Sequence, residues 1–294
     1  MRKTSVYLPD PLKAQLSALA NRTRRSEADL VRTAIEHIVA QGAPAPAAPP
    51  DPAVPGRLVG VGVGPGAADL LTVRALRALH RATRIVAPCT DIGAMGRAEA
   101  IVREGAPDLV VERLVFAMTP EPEARGASVR DAATRVASLL DEGDEVAFIT
   151  LGDPNLYSTF ASITAELSSI RPESLVVTVP GVMAFQELAA RSGTVLADDQ
   201  QSFLVLPASD EAASAKGGSI ATALQDESRA VVIYKGGRHV EAVARRLRDA
   251  GRLQGSVLGE LLGLPGERIA QVGDVADRPA SYLSALIVPA RSHR

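Results

Sequence analysis

Gly60, Gly62, Gly64 and Gly66 recur at every second position in LVGVGVGPGAADLLT. Glycines at the end of a strand permit tight turns and a close approach of backbone to ligand. A dinucleotide fingerprint can be forced from Gly62, Gly64 and Ala67. The match is poor, because Pro65 removes an amide where a pyrophosphate would want one and no acidic residue ends the next strand-like run, Arg84–Ala87. Three more segments share the strand-to-turn form. FITLGDPNLYSTF (148–160) has a Gly152-Asp153-Pro154 turn, with Tyr157, Ser158 and Thr159 opening the next helix. VTVPGVMAF (177–185) passes from strand through a Pro-Gly turn to a helix, and VVIYKGG (231–237) puts Lys235 at a strand end. Each alone is common, and Asp153 as a helix cap or Lys235 as a solvated charge are ordinary roles. Together, four strand-end loops can converge on one cleft at the carboxyl edges of sheets.

The elements that must position these loops alternate. Apolar runs predict strands at Leu58–Val63, Arg84–Ala87, Leu109–Glu112, Glu145–Thr150, Leu175–Val179, Ser202–Leu206, Arg229–Tyr234 and Ala285–Val288. Amphipathic spacing predicts helices over Leu70–Arg81, Val129–Asp141, Ala184–Arg191 and Val240–Ala250. Strand–helix alternation argues for mainly parallel α/β layers. There is no internal repeat.

A proline- and alanine-rich stretch, GAPAPAAPPDPAVPG (42–56), separates this body from a head of residues 1–41. Proline favours an extended, semi-rigid spacer. The head carries seven basic residues against four acidic ones. Ser5–Leu8 reads as a short strand, Leu12, Leu16 and Leu19 lie at helical spacing, and Ser26 is a good N-cap for a second helix bearing Leu30, Val31, Ala34, Ile35 and Ile38. So small a unit cannot bury a core alone and should pair with a second copy.

Composition narrows the classes. A net charge of −2 excludes a chain that is basic throughout, and aromatics at 3% with no Trp leave few rings for stacking on bases. The single Cys89 forms no internal disulfide or CxxC site and reads as a small buried hydrophobe. His37, His80, His239 and His293 make no metal spacing, so no metal is expected. The N-terminal segment lacks an apolar h-region and no run approaches the length of a membrane span. The expected compartment is the cytoplasm.

Residues 2–39 resemble a ribbon-helix-helix domain. That resemblance implies a strand-paired dimer whose ribbon enters the DNA major groove. With Val6 and Leu8 turned to the core, Lys3, Ser5 and Tyr7 would face base edges, and Ser26 would sit against a phosphate. A head that only dimerises is the alternative.

The body, with GVGVGPG and LLT followed in order by GDPNLYST, PGV and YKG, resembles the tetrapyrrole methylase family over residues 57–294. VFAMT (115–119) and GDPNLYSTF are most similar to the branch that methylates precorrin-2 or cobalt-factor II at C(20). The resemblance implies two α/β domains with a cleft between them, 57–170 and 171–294, and a homodimer. It also implies S-adenosyl-L-methionine at the domain junction, in contact with Leu151, Gly152, Asp153, Leu156, Met183, Ala184, Lys235 and Gly236, with Tyr157, Ser158 and Thr159 lining the same pocket. Pro65 and Gly66 would meet the tetrapyrrole, and Arg97, Arg125, Arg130 and Arg238 are candidates for its carboxylates. Two positions depart from the pattern: Ala67 replaces the usual Asp, to which acid–base work is assigned in relatives, and Ala117 replaces a Pro. No catalytic residue is therefore assigned. A regulator whose body senses the donor or a corrinoid, and a methylase of this fold with another substrate, are the competing expectations.

Overall fold

A computed structural model describes residues 9–23, 25–40, 54–117, 121–208, 218–291 of the chain. Contacts divide it into two compact units, residues 1–51 and 52–294.

In the first unit, helix α1 (Asp10–Thr23) and helix α2 (Glu27–Ala40) take up the expected positions. Ser26 caps α2: its Oγ accepts the Asp29 N–H at 3.1 Å. Glu27 pairs with Lys13 and accepts from Ser17 Oγ at 2.5 Å, so the two helices are tied by polar contacts. Ala20 is the one buried residue of this unit among the described residues, while Leu12 and Ile35 are about half exposed. The predicted strand Ser5–Leu8 lies outside the described residues.

The second unit opens with Val54–Gly56, the last residues of the predicted spacer. These are fastened to the body, since Val54 N–H donates to Glu145 and Gly56 N–H to the Asp144 carbonyl. Its first sheet holds β1 (Arg57–Gly62), β2 (Arg84–Cys89), β3 (Val111–Val115), β4 (Val146–Thr150) and β5 (Leu175–Val179) in the order β3-β2-β4-β1-β5, all parallel. Parallel strands covered on both faces read as continuous apolar runs, as β1 and β4 do. Alternation splits the core. Val59, Val61, Ala147 and Ile149 pack against helices α3 (Val73–Arg81) and α4 (Arg97–Gly105). Leu58, Val86, Val146 and Phe148 pack against α5 (Pro122–Asp141) and α6 (Thr159–Ile170).

The second sheet holds β6 (Phe203–Pro207), β7 (Ala230–Tyr234), β8 (Val257–Glu260), β9 (Arg268–Gln271) and β10 (Ser284–Val288), in the order β6-β7-β10-β8-β9. Only β6 and β7 run parallel; the other pairs are antiparallel. Helices α7 (Ala184–Ser192), α8 (Ser219–Ala223), α9 (Val240–Asp249) and the short α10 (Val272–Val275) accompany it.

Three expectations need correction. Mainly parallel layering holds for the first sheet and fails for the second, because β8 and β9 are four-residue strands with Gly259, Glu260, Arg268 and Gln271 among them and no apolar run to betray them. A division after residue 170 does not match the sheets: Leu175–Val179 is hydrogen-bonded to β1, so the first sheet ends at Val179. Helix α3 begins at Val73, capped by Thr72 Oγ1, with a separate 3-10 turn over Ala68–Leu70 in place of a helix from Leu70.

Candidate active site

Strands β1, β4 and β5 are neighbours, and the loops at their carboxyl ends meet. Gly152 N–H donates to the Gly64 carbonyl at 2.8 Å. The backbones of Gly62, Gly152 and Gly181 press together so closely that a Cβ on Gly181 would lie 2.1 Å from the Gly152 oxygen. The glycine spacing in the first loop thus serves backbone approach. Gly66 does the same toward the second sheet, where a Cβ would lie 2.0 Å from the Leu262 oxygen.

Asp153 fixes the GDP turn to the PGV turn. Its Oδ1 accepts the Asn155 N–H at 2.8 Å, and its Oδ2 accepts the Gly181 N–H at 3.1 Å. Ser158 caps α6 by accepting the Phe160 N–H, and its Oγ lies 2.9 Å from Thr150 Oγ1. From the second sheet, Lys235 N–H donates to the Ser284 carbonyl at 3.1 Å, which sets the YKG loop on β10. The Lys235 ammonium stands 5.9 Å from the Tyr157 ring centre and 5.7 Å from that of Tyr282, within reach of both faces' negative charge.

These loops enclose a cleft of about 740 Å³, including the space at its mouth. Leu151, Gly152, Asp153, Leu156, Tyr157, Met183, Ala184 and Lys235 line it, as does Pro65. Backbone strain concentrates here: of the four described non-glycine residues with positive φ, Tyr157 (52°), Lys235 (59°) and Leu261 (50°) line the cleft, and Asp199 does not. Such outliers persist where surrounding structure over-determines them, commonly at functional sites. Burial pushes the Tyr234 phenol up to about 12, and burial raises Tyr157 as well, so both stay protonated at neutral pH. The Tyr234 oxygen accepts the Phe185 N–H at 3.3 Å, and Tyr157 donates to the Val205 carbonyl at 3.3 Å.

Other predicted residues do not line this cleft. Ser158 is turned to its cap, and Gly236 is buried near Ile233 and Ala208. Gly66 packs on the Leu262–Gly263 turn. Thr159 opens instead on a second depression of about 990 Å³, which it shares with Phe116, Ala117, Arg125, Arg130, Ser162 and Glu166. Arg97 is exposed at the start of α4 and lines neither. The Arg238 side chain and Lys3, Ser5 and Tyr7 lie outside the described residues. Ala67 is half-buried against Gly263, and Asp69 in the following turn is exposed. Cys89 is buried, with burial raising its thiol, and Sγ donates to the Leu114 carbonyl at 3.4 Å. No cluster of three metal-ligating side chains occurs among the described residues, and none of their helices is long and apolar enough to cross a membrane.

Most of the far wall of the cleft carries no site motif in the sequence. Tyr234, Gly259, Leu261, Leu262, Leu264 and the segment Tyr282–Ala285 belong to the antiparallel part of the second sheet and its loops. Apart from Tyr234 of the YKG turn and Ala285 of a predicted strand, they carry no turn signature beyond LPG at 264–266, and the positive φ of Leu261 is a feature of the folded chain alone.

Residues 57–276 match the family model described as Tetrapyrrole (Corrin/Porphyrin) Methylases, and residues 2–42 match that of the ribbon-helix-helix protein, copG family. Among relatives, the cobalt-precorrin-2 C(20)-methyltransferase of Salmonella typhimurium is 33% identical over 238 residues, covering 79% of this chain and 96% of that protein. The precorrin-2 C(20)-methyltransferase of a Sinorhizobium species is 32% identical, covering 80% of this chain and 95% of the relative. The fold is similar to that of cobalt precorrin-4 methyltransferase CbiF (TM-score 0.60, 18% identity, 80% of this chain and 95% of that one). It is similar also to methyltransferase CobJ (TM-score 0.55, 21% identity, 81% and 96%). From the motif order, the paired sheets and these matches together, the chain belongs to the tetrapyrrole methylase family and carries a ribbon-helix-helix segment ahead of its methylase body.

Proposed function

We propose that this protein transfers a methyl group from S-adenosyl-L-methionine to C(20) of a precorrin-2-type tetrapyrrole, metal-free or cobalt-bearing, in cobalamin biosynthesis. The observation that carries this is the meeting of the GDP, PGV and YKG loops in one cleft, in a chain a third identical to a cobalt-precorrin-2 C(20)-methyltransferase over nearly that protein's whole length.

The cleft suits the donor. Its lining is mainly apolar with a few polar groups, as in small-molecule sites. Leu151, Leu156, Met183 and Leu261 offer apolar wall, and the Ser284 hydroxyl is buried with no hydrogen-bond partner among the described residues. Bound there, the donor supplies an electrophilic methyl on a sulfonium. The protein's contribution is to hold two reactants in line and keep water out, an arrangement worth roughly 7–11 kcal/mol in well-oriented reactions. Leu151 to Tyr157 and Met183–Ala184 would hold the donor from the first-sheet side, and Lys235 from the second. Asp153 is the one carboxylate lining the cleft among the described residues, and its oxygens already receive two backbone N–H groups. It acts as a loop fastener. The protonated Tyr157 and Tyr234 do not serve as bases at neutral pH. With Ala67 in place of the family's Asp, proton loss from the methylated carbon falls to solvent, the substrate or a group outside this cleft.

The second depression is the seat we assign to side-arm carboxylates of the tetrapyrrole, through Arg125 and Arg130. It opens at Thr159, two residues beyond Tyr157 of the cleft. The head, by its match to the ribbon-helix-helix model, is proposed to pair with a second copy and to bind duplex DNA.

The test is incubation of the protein with methyl-labelled donor and each tetrapyrrole in turn. Label should appear in a product methylated at C(20). Replacing Arg125 and Arg130 together by Ala should raise the tetrapyrrole KM about tenfold or more and leave the donor's Kd unchanged. Donor binding without methylation of either tetrapyrrole would refute the assignment.

A further inference from the structure

Lys235 is the one cationic side chain that lines the cleft among the described residues, and no acidic side chain pairs with it there. Its ammonium stands instead between two rings, 5.9 Å from the centre of Tyr157 and 5.7 Å from that of Tyr282. Two ring faces hold a cation in place without forming an ion pair with it. Its N–H donors are left for an anion.

The bracket is fixed from both sheets. The Lys235 backbone is left-handed, with φ at 59°, which a glycine adopts without strain and a lysine does not. Its N–H is bonded to the Ser284 carbonyl, which pins the root of the side chain. From the first sheet, Tyr157 donates its hydroxyl to the Val205 carbonyl of β6, and its ring meets that of Tyr234 at 6.0 Å. The charge also stands toward the mouth of the cleft. Tyr157 is 43% and Tyr282 40% exposed, and Lys235 is half-buried, whereas Gly259, Ser284 and Ala285 of the same lining are buried.

Charge balance chooses between the anions that could come here. The donor brings one carboxylate together with an ammonium and a sulfonium, so a fixed cation attracts one of its charges and repels two. A carboxylate side arm of the tetrapyrrole brings the attraction alone. A half-buried pair is also screened less by salt than one in open water.

We infer that the Lys235 ammonium, bracketed by Tyr157 and Tyr282, binds a side-arm carboxylate of the tetrapyrrole and so anchors the substrate from the second sheet, in addition to its anchorage by Arg125 and Arg130. This rests on the proposed function, with the backbone of the YKG loop facing the donor and the Lys235 side chain facing the methyl acceptor.

The test uses the full chain and two probes that need no turnover. One is the tetrapyrrole, cobalt-factor II or precorrin-2, followed by its own absorbance in the presence of S-adenosyl-L-homocysteine. The other is S-adenosyl-L-homocysteine alone, followed by calorimetry. Lys235→Met keeps the length of the side chain and its demand on the backbone but removes the charge. It should weaken the tetrapyrrole about tenfold or more, the size of one lost charge-assisted bond, and leave S-adenosyl-L-homocysteine within about twofold. Lys235→Arg keeps the charge and should regain most of the affinity. Added salt should weaken tetrapyrrole binding more in the wild type than in Lys235→Met, which has one ion pair fewer to screen. Weakening confined to S-adenosyl-L-homocysteine would give the carboxylate to the donor and overturn the inference. Unchanged affinities for both probes would also overturn it, leaving the ammonium a strut between two rings. So would a lower melting temperature in Lys235→Met with both probes weakened alike and no rescue by Arg. A wild type that binds the tetrapyrrole, loses it on Lys235→Met and yet methylates neither compound would refute the proposed function and support this anchor. A wild type that binds neither tetrapyrrole would overturn both.

Discussion

Asp153 Oδ2 accepts the backbone N–H of Gly181, 28 residues further along the chain, at 3.1 Å. One carboxylate thereby fastens the loop after β4 to the loop after β5, and both loops border the cleft.

Removing that fastener should loosen donor binding. Asp153→Ala is expected to weaken S-adenosyl-L-homocysteine by roughly ten- to a hundredfold, the span of one hydrogen bond to a charged acceptor. Asp153→Asn keeps an acceptor oxygen and should fall between. Titration calorimetry on the three proteins decides it, and equal affinities would mean that the PGV turn holds its shape unaided.

A second carboxylate governs stability far from the cleft. Burial alone would raise the Glu145 carboxyl, but the Val54 N–H, Arg57 and Arg81 bond to it and hold it below its ordinary value of 4.5. A depressed folded value means that its stabilising contribution is complete above about pH 4.5 and is lost as pH falls through the folded value. Urea midpoints of the wild type should therefore drop as pH goes from 5 to 3, with a shallower drop in Glu145→Gln. At pH 7 that variant should be less stable by about 3 kcal/mol, since two half-buried guanidinium groups lose their counter-charge.

Ala67 offers a test of acid–base chemistry. It is half-buried against Gly263, at the meeting of the glycine loop with the Leu262–Gly263 turn. If a carboxylate there does the work assigned to it in relatives, Ala67→Asp should raise turnover by about 10²–10⁴-fold. The donor's Kd should stay within about twofold, because the fasteners of the donor loops lie elsewhere. Unchanged turnover on an already active wild type would confirm that proton loss needs no group at this position.

The head makes its own prediction. Light scattering should find a dimer or larger assembly at micromolar concentration. Duplex DNA binding should weaken steeply with added salt as neutralised phosphates regain their counterions. Replacing Lys3, Ser5 and Tyr7 together by Ala should abolish sequence preference and leave the dimer intact. Selection from random duplexes that enriches no motif would leave the head a dimeriser only.

Much of this protein is written locally. Apolar runs in buried parallel strands announce themselves without neighbours, so β1, β4 and β5 were predicted to within a residue or two. The GDP, PGV and YKG turns mark strand ends by residue type, and Ser26 and Thr72 cap helices through bonds to residues three positions away. What the sequence does not contain is the far wall of the cleft. Gly259, Leu261 and Ser284 become neighbours of Asp153 only when the second sheet, mostly antiparallel, folds its short strands back beside β7. Pairing of that kind is set by hydrogen bonds between distant segments, which leave no period along the chain. For the same reason Leu175–Val179 joins the first sheet although it follows α6, and Arg125 and Arg130 open on a depression apart from the cleft that their charge alone suggested. That the buried Ser284 hydroxyl finds no partner among the described residues is a property of packing and leaves no mark in the sequence.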